Sequence, residues 1–171
     1  DHLRREDSVQ WDERTGAVLA RRRTLLGSLV LNDEPLRGSS LPVDKVQEAV
    51  ESAVAGLGLS CLPWTDELRQ WQARVLLMRR MENEADWPDV SDEALLAAIR
   101  HSPLENWLSP WLSGITRRTQ FSSIDLSGAL HALLPFASAR RLDREAPQAL
   151  RVPSGSLIRI DYLPEAGPVL A

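Results

Sequence analysis

A change of hydrophobic period at Pro42 governs what this chain can fold into. From there Val43, Val46, Val50, Val54 and Leu57 recur three or four residues apart, which predicts a helix. Asp44 with Gln47 resembles a capping box at its start, and Gly56 and Gly58 are placed to end it. A second helix follows Leu62-Pro63-Trp64, with Thr65 as N-cap and Leu68, Trp71, Val75 and Met78 as its buried stripe. Arg69, Gln70, Arg74 and Arg80 are then left mainly for solvent. Trp87-Pro88-Asp89 interrupts, and Ser91 caps a short helix that turns Leu95, Leu96 and Ile99 inward. A further turn or two is expected over Leu104–Leu112, a helix from Asp125 through Leu134, and another over Ser138–Glu145.

On either side of this helical stretch the pattern is that of strands. Ser8–Asp12 reads as a strand, Asp12–Gly16 as a turn, and Ala17–Leu25 as the returning arm of a hairpin. Gly27 predicts a bend or bulge before a third strand at Ser28–Leu31, closed by Asn32–Pro35. Near the C-terminus, Leu150–Val152 and Leu157–Tyr162 flank the turn Pro153–Ser156, and Val169–Ala171 begins another strand. A strand needs a partner, so a longer polypeptide is expected.

The expected fold is therefore α+β. Residues 1–41 form a β-hairpin or meander, 42–148 a helical bundle, and 149–171 a C-terminal β-hairpin segment. Each β part alone is too small to be stable. This leaves open one sheet shared by the N-terminal and C-terminal strands.

Several function classes are poorly served by these residues. No stretch approaches the roughly 20 consecutive apolar residues of a membrane span, and the N-terminus lacks the apolar core of a signal peptide. With Cys61 as its one cysteine the chain has no internal disulfide, which fits a reducing, cytoplasmic compartment. His2, His101 and His131 stand far apart without ligand spacing, so no metal is expected. Cys61, between Leu59 and Leu62, reads as a buried, inert thiol. Gly56-Leu57-Gly58 and Ser154-Gly155-Ser156 lack the pattern of a phosphate loop. No catalytic residue is assigned.

Charge narrows the question further. Of the 20 basic residues only Lys45 is a lysine, and residues 44–100 carry six basic against eleven acidic groups. A freestanding nucleic-acid-binding domain is usually basic overall, so contact with a polyanion must come from local clusters. These are Arg21-Arg22-Arg23, Arg79-Arg80, Arg117-Arg118, and Arg140-Arg141 with Arg144. In the first, the pleat sends Arg21 and Arg23 to one face and Arg22 to the other. Arg21 and Arg23 could bridge successive phosphates, or the run could be a solvated face paired with nearby acids. Among the tryptophans, Trp71 belongs to the core, and Trp64 and Trp87 are expected to plug joints between helices. Trp107 and Trp111, four apart, can share one face. Trp11 either stacks on a base or packs between hairpin and helices, and packing is the expected role.

Five collinear stretches resemble one family. They are Val9–Gly16 with Arg21-Arg22-Arg23 and Leu26–Leu29, then Gly58–Thr65, Ser91–Leu96, Trp107–Gly114, and Leu150–Tyr162. They are similar to the C-terminal accessory region of HrpB-type bacterial ATP-dependent RNA helicases of the DEAH-box class. The resemblance implies two RecA-like motor lobes upstream that use ATP and Mg²⁺, and a fragment that itself needs no cofactor. Its implied role is a non-catalytic accessory domain that binds or guides single-stranded nucleic acid. The candidate contacts are Arg21, Arg22, Arg23, Trp11, Arg117, Arg118, Arg140 and Arg141. The competing expectation is a protein-interaction module docking on the motor domains or on a partner protein.

Overall fold

The computed structural model describes residues 2–82 and 86–171. The chain divides into two compact units. One runs from the N-terminus through Pro63 and resumes at Ala98–Ile124; the other joins Trp64–Ala97 to Asp125–Ala171. Each unit thus contains one three-stranded sheet.

In the first unit β1 (Leu3–Asp12), β2 (Ala17–Leu26) and β3 (Leu29–Pro35) form an antiparallel meander in the order β1-β2-β3. The β1–β2 connection is built by Asp12, whose carboxylate accepts from the Arg14 N–H and the Thr15 hydroxyl at 3.2 and 2.8 Å. Gly16 closes it at φ 62°, a left-handed conformation that favours glycine. Between β2 and β3, Leu26 pairs with Leu29, so Gly27-Ser28 is a two-residue turn with Gly27 at φ 62°. The bend or bulge expected at Gly27 is this tight turn, and the register shift falls earlier, between Thr24 and Leu25. Asn32–Pro35 belongs to β3 rather than closing it, because Asp33 and Glu34 lie opposite Arg23 and Arg22. β1 also begins five residues before the expected Ser8. Its first half lacks alternation and is fixed by pairing with Arg22–Leu26.

Helix α1 (Val43–Leu57) buries Val46, Val50 and Val54, while Val43 and Leu57 at the ends of the stripe are exposed. The capping box does not form; Pro42 is the N-cap, and Gln47 instead donates to the Ser109 carbonyl at 3.0 Å. Gly58, at φ 87°, ends the helix, and Gly56 stays inside it. Glu51 is only 2% exposed and accepts from the Ser109 hydroxyl at 2.5 Å and the Leu104 N–H at 2.8 Å. This carboxylate pins the segment after α3 (Asp92–His101), where the further turn expected over Leu104–Leu112 is a 3₁₀ turn at Ser109–Trp111. Asn106 accepts there from the N–H groups of Leu108 and Ser109.

The second unit is organised by α2 (Asp66–Met81), capped by Thr65, which accepts from the Leu68 N–H at 3.2 Å. Leu68, Trp71, Val75 and Met78 are buried as expected, and Ser91 caps α3 by accepting from the Ala94 N–H. Trp87 is fully buried and donates its indole N–H to Glu82. Helix α4 (Leu126–His131) is shorter than expected, and α5 (Phe136–Glu145) starts two residues sooner, directly after Pro135.

The polar face of α2 does not simply meet water. Arg74 is 3% exposed, donating to the Ala146 carbonyl at 2.6 Å and to the Asp143 carboxylate at 3.2 Å. Gln70 donates to Asp161 at 2.6 Å and accepts from the Tyr162 N–H at 2.9 Å. Arg69 lies 3.7 Å above the Trp64 ring and pairs with Asp92. Arg80 is exposed as the local pattern predicts, but Arg74 is buried, and Gln70 and Arg69 are half-buried and paired: helix and strand ends brought against α2 supply partners that spacing along α2 cannot reveal.

Strands β4 (Ala149–Arg151), β5 (Leu157–Asp161) and β6 (Val169–Leu170) form a second, separate meander in the order β4-β5-β6. The N-terminal and C-terminal strands do not share a sheet. Each β segment obtains its third strand locally, β3 in one case and β6 in the other.

Candidate nucleic-acid interface

The arginine run lies on β2 as the pleat dictates. Arg22 shares a face with Asp7 and donates through Nε and Nη2 to both carboxylate oxygens, at 2.7 and 2.9 Å. This bidentate bond is the main reason the Asp7 carboxyl sits below the usual carboxylate range. On the opposite face Arg21 and Arg23 share one acid: their Nε groups donate to the two oxygens of Asp33 at 2.8 and 3.3 Å. All three guanidiniums are engaged within the sheet. Trp11 is half-buried and stacked on Phe121, with ring centroids 5.7 Å apart and planes 27° from parallel. Its ring therefore packs inside the first unit.

Arg117 and Arg118 are presented differently. Ala17 forms a β-bridge with Arg117, while the Val18 N–H donates to the Thr116 carbonyl and the Arg118 N–H to the Gly16 carbonyl, each at 2.8 Å. Gln120 holds the segment by accepting from the N–H groups of Thr116 and Arg117. Both side chains are exposed, and among the described residues neither has an ion pair. They stand beside the β1–β2 turn, which also carries the exposed Arg14.

In the second unit the cluster on α5 splits by helix face. Arg141 donates to Glu82 and Glu145 and lies 5.5 Å from the Trp87 ring centroid, so it braces the structure. The Trp87 indole N–H, followed by Arg141, holds the Glu82 carboxyl below its ordinary range. Arg140 and Arg144 project from the face opposite buried Ser138 and Leu142. One turn ahead of Arg140 stands Phe136, 78% exposed, with the guanidinium 6.0 Å from its ring centroid. Phe136, Arg140 and Arg144 thus recur every four residues along one exposed face. A helix expected to begin at Ser138 leaves Phe136 outside it; Pro135 immediately before Phe136 is the available signal.

His131 packs against Trp71 at 4.9 Å, its Nδ1 2.7 Å from the Ser127 carbonyl. Burial pushes the Cys61 thiol above its ordinary pKa, against the opposing charge of Arg118. Among the described residues no group of three or more His, Cys, Asp or Glu could hold a metal ion, and no helix is long and apolar enough to cross a membrane.

Residues 2–36 match the family model described as the connector region of ATP-dependent RNA helicase HrpB, and residues 107–171 match that of the ATP-dependent helicase C-terminal region. The chain is 37% identical over 169 residues to the ATP-dependent RNA helicase HrpB of Escherichia coli K12, covering 99% of this chain and 20% of that protein. Crystal structures of the E. coli DExH-box NTPase HrpB and of the E. coli DEAH/RHA helicase HrpB superpose with TM-scores of 0.70 at 36% identity. They cover 98% and 100% of this chain, and 20% and 21% of theirs. The chain spans about a fifth of the length of the relatives it matches.

Proposed function

Because this chain belongs to the HrpB family of ATP-dependent helicases and corresponds to its C-terminal region, we propose that it is a non-catalytic accessory region that holds single-stranded RNA. ATP and Mg²⁺ would act in motor domains elsewhere in such a protein, which are also the natural partners of this region. The observation that carries the proposal is the exposed face of α5. An aromatic ring open to solvent, followed by two guanidiniums at one-turn intervals, is the combination that single-strand binding uses. The ring stacks on a base whatever its identity, and the cations track the backbone. Arg117 and Arg118 offer a second pair of phosphate contacts in the first unit.

Fluorescence anisotropy with a labelled uridine dodecamer tests this reading. Phe136→Ala removes a stacking contact of about 1–3 kcal/mol, so binding weakens about fivefold or more. Arg140→Gln with Arg144→Gln removes two phosphate contacts, which flattens the salt dependence by about 1.4 log units per log unit of salt. The melting temperature stays near that of the parent, because these side chains are exposed. Unchanged affinity and slope in both variants would refute the proposal.

The second reading, docking on the motor, is favoured by one feature. Leu3, Leu26 and Leu29 are cross-strand neighbours in register and all are exposed, forming an apolar row at the end of the first sheet. Leu3→Ser with Leu29→Ser would then weaken binding to separately produced motor domains and leave RNA binding intact.

A further inference from the structure

The first unit contains a cleft of about 820 Å³ bounded on one side by Asp7–Trp11 of β1 and on the other by α1. β1 is an edge strand, paired only with β2. Among the described residues no backbone hydrogen bond reaches its outer edge, and Lys45 of α1 donates to the Asp7 carbonyl at 3.4 Å, so the open stretch begins at Ser8. The first half of that edge is blunted by charge, through Arg4, Arg5, Glu6 and Asp7. The second half, Ser8–Trp11, carries none, and this is the half that borders the cleft.

The helix side is shaped by small residues. Ala49, Ser52, Ala53 and Gly56 line the cleft at helical spacing. Gly56 has an ordinary helical backbone, and a Cβ there would meet nothing within 4 Å. Neither backbone conformation nor packing requires glycine at this position, and glycine weakens a helix interior. Its consequence is that the cleft stays unfilled.

We propose that this cleft accepts an extended peptide segment of another protein, which adds to β1 as a further antiparallel or parallel strand. Unpaired N–H and C=O groups along an edge recognise another polypeptide backbone, and alternate side chains then enter the pockets behind it. Five strand residues span about 17 Å, room for an extended segment of about the same length. Inward side chains would meet Val9, Trp11, Ala49 and Ala53, so they would be apolar. Charge argues for this occupant over a polyanion. Asp7 is neutralised by Arg22, while Glu13 and Glu48 balance Lys45 and Arg118, leaving no positive excess along the cleft. The segment would accordingly carry little net charge.

Selection from a phage-displayed library of random heptapeptides on the immobilised 171-residue chain tests the proposal. Enriched sequences should alternate apolar and polar residues with low net charge. A synthetic copy of the winner should bind at least tenfold more weakly when prolines replace residues that must donate N–H groups. Gly56→Leu should weaken it by a similar factor while melting no lower than the parent, and Ser52→Trp, which fills the cleft from an exposed position, should do the same. No enrichment over a blank surface would overturn the proposal, as would equal binding to both filled variants. Displacement of the peptide by a uridine dodecamer would overturn it in favour of a nucleic-acid groove.

Discussion

Replacing Arg74 with methionine isolates the energetic role of a buried cation that local pattern assigns to solvent. The guanidinium donates to the Ala146 carbonyl at 2.6 Å and more weakly to that of Leu142 at 3.4 Å, both at the C-terminal end of α5. Its third bond reaches Asp143, whose side chain is 75% exposed. A hydrogen bond from a charged donor contributes about 1.5–3 kcal/mol, whereas a solvent-exposed ion pair contributes about 0–1 kcal/mol. Methionine keeps most of the stem volume, so the loss is dominated by the Ala146 bond and the carbonyl it leaves unpaired. Arg74→Met should therefore cost about 2–3 kcal/mol in urea unfolding followed by circular dichroism at 222 nm. At this chain length the melting temperature should fall by about 4–12 °C. Asp143→Asn is the matched control and should cost less than about 1 kcal/mol. The reasoning fails if Arg74→Met lies within about 0.5 kcal/mol of the parent, or if Asp143→Asn costs as much.

Two further outcomes follow from the ion pairs. Arg21→Glu with Arg23→Glu sets two new acids against Asp33 and Glu6, so the melting temperature should drop while the salt slope of RNA binding stays at the parent value; a flattened slope without loss of stability would show these arginines facing RNA instead. Asp7, Asp33 and Glu82 all have folded pKa values lowered, chiefly by hydrogen bonds from Arg22, Arg21 and the Trp87 indole respectively, so the unfolded chain binds their protons more readily. Stability should then be fully present above about pH 5 and fall as the pH drops through about 4 and below, with a shallower loss in Asp7→Asn; a urea midpoint that rises on acidification would contradict this.

Local rules already account for much of this chain. The valine stripe of α1, the Leu68/Trp71/Val75/Met78 stripe of α2, and the caps at Thr65 and Ser91 follow from interactions spanning three or four residues. The alternation of Arg21, Arg22 and Arg23 between faces follows from the pleat in the same way, and so does the turn closed by Gly16. The α+β character with strands at both ends was legible for this reason. Which groups meet across the chain is set by how the elements pack. Asp33 lies 12 and 10 residues from Arg21 and Arg23, Asp7 lies 15 from Arg22, and strand register brings each to its partners. Arg74 reaches Ala146 across 72 residues, and Glu51 reaches Ser109 across 58. No spacing rule encodes such partners, because they are selected by how elements pack after each has formed. The separation into two sheets has the same origin. Whether a terminal strand joins a distant sheet or a nearby one depends on the third strand available to it, and β3 and β6 were each at hand. Phe136 stands open to solvent because packing turned the other face of α5, with Ser138 and Leu142, toward the core.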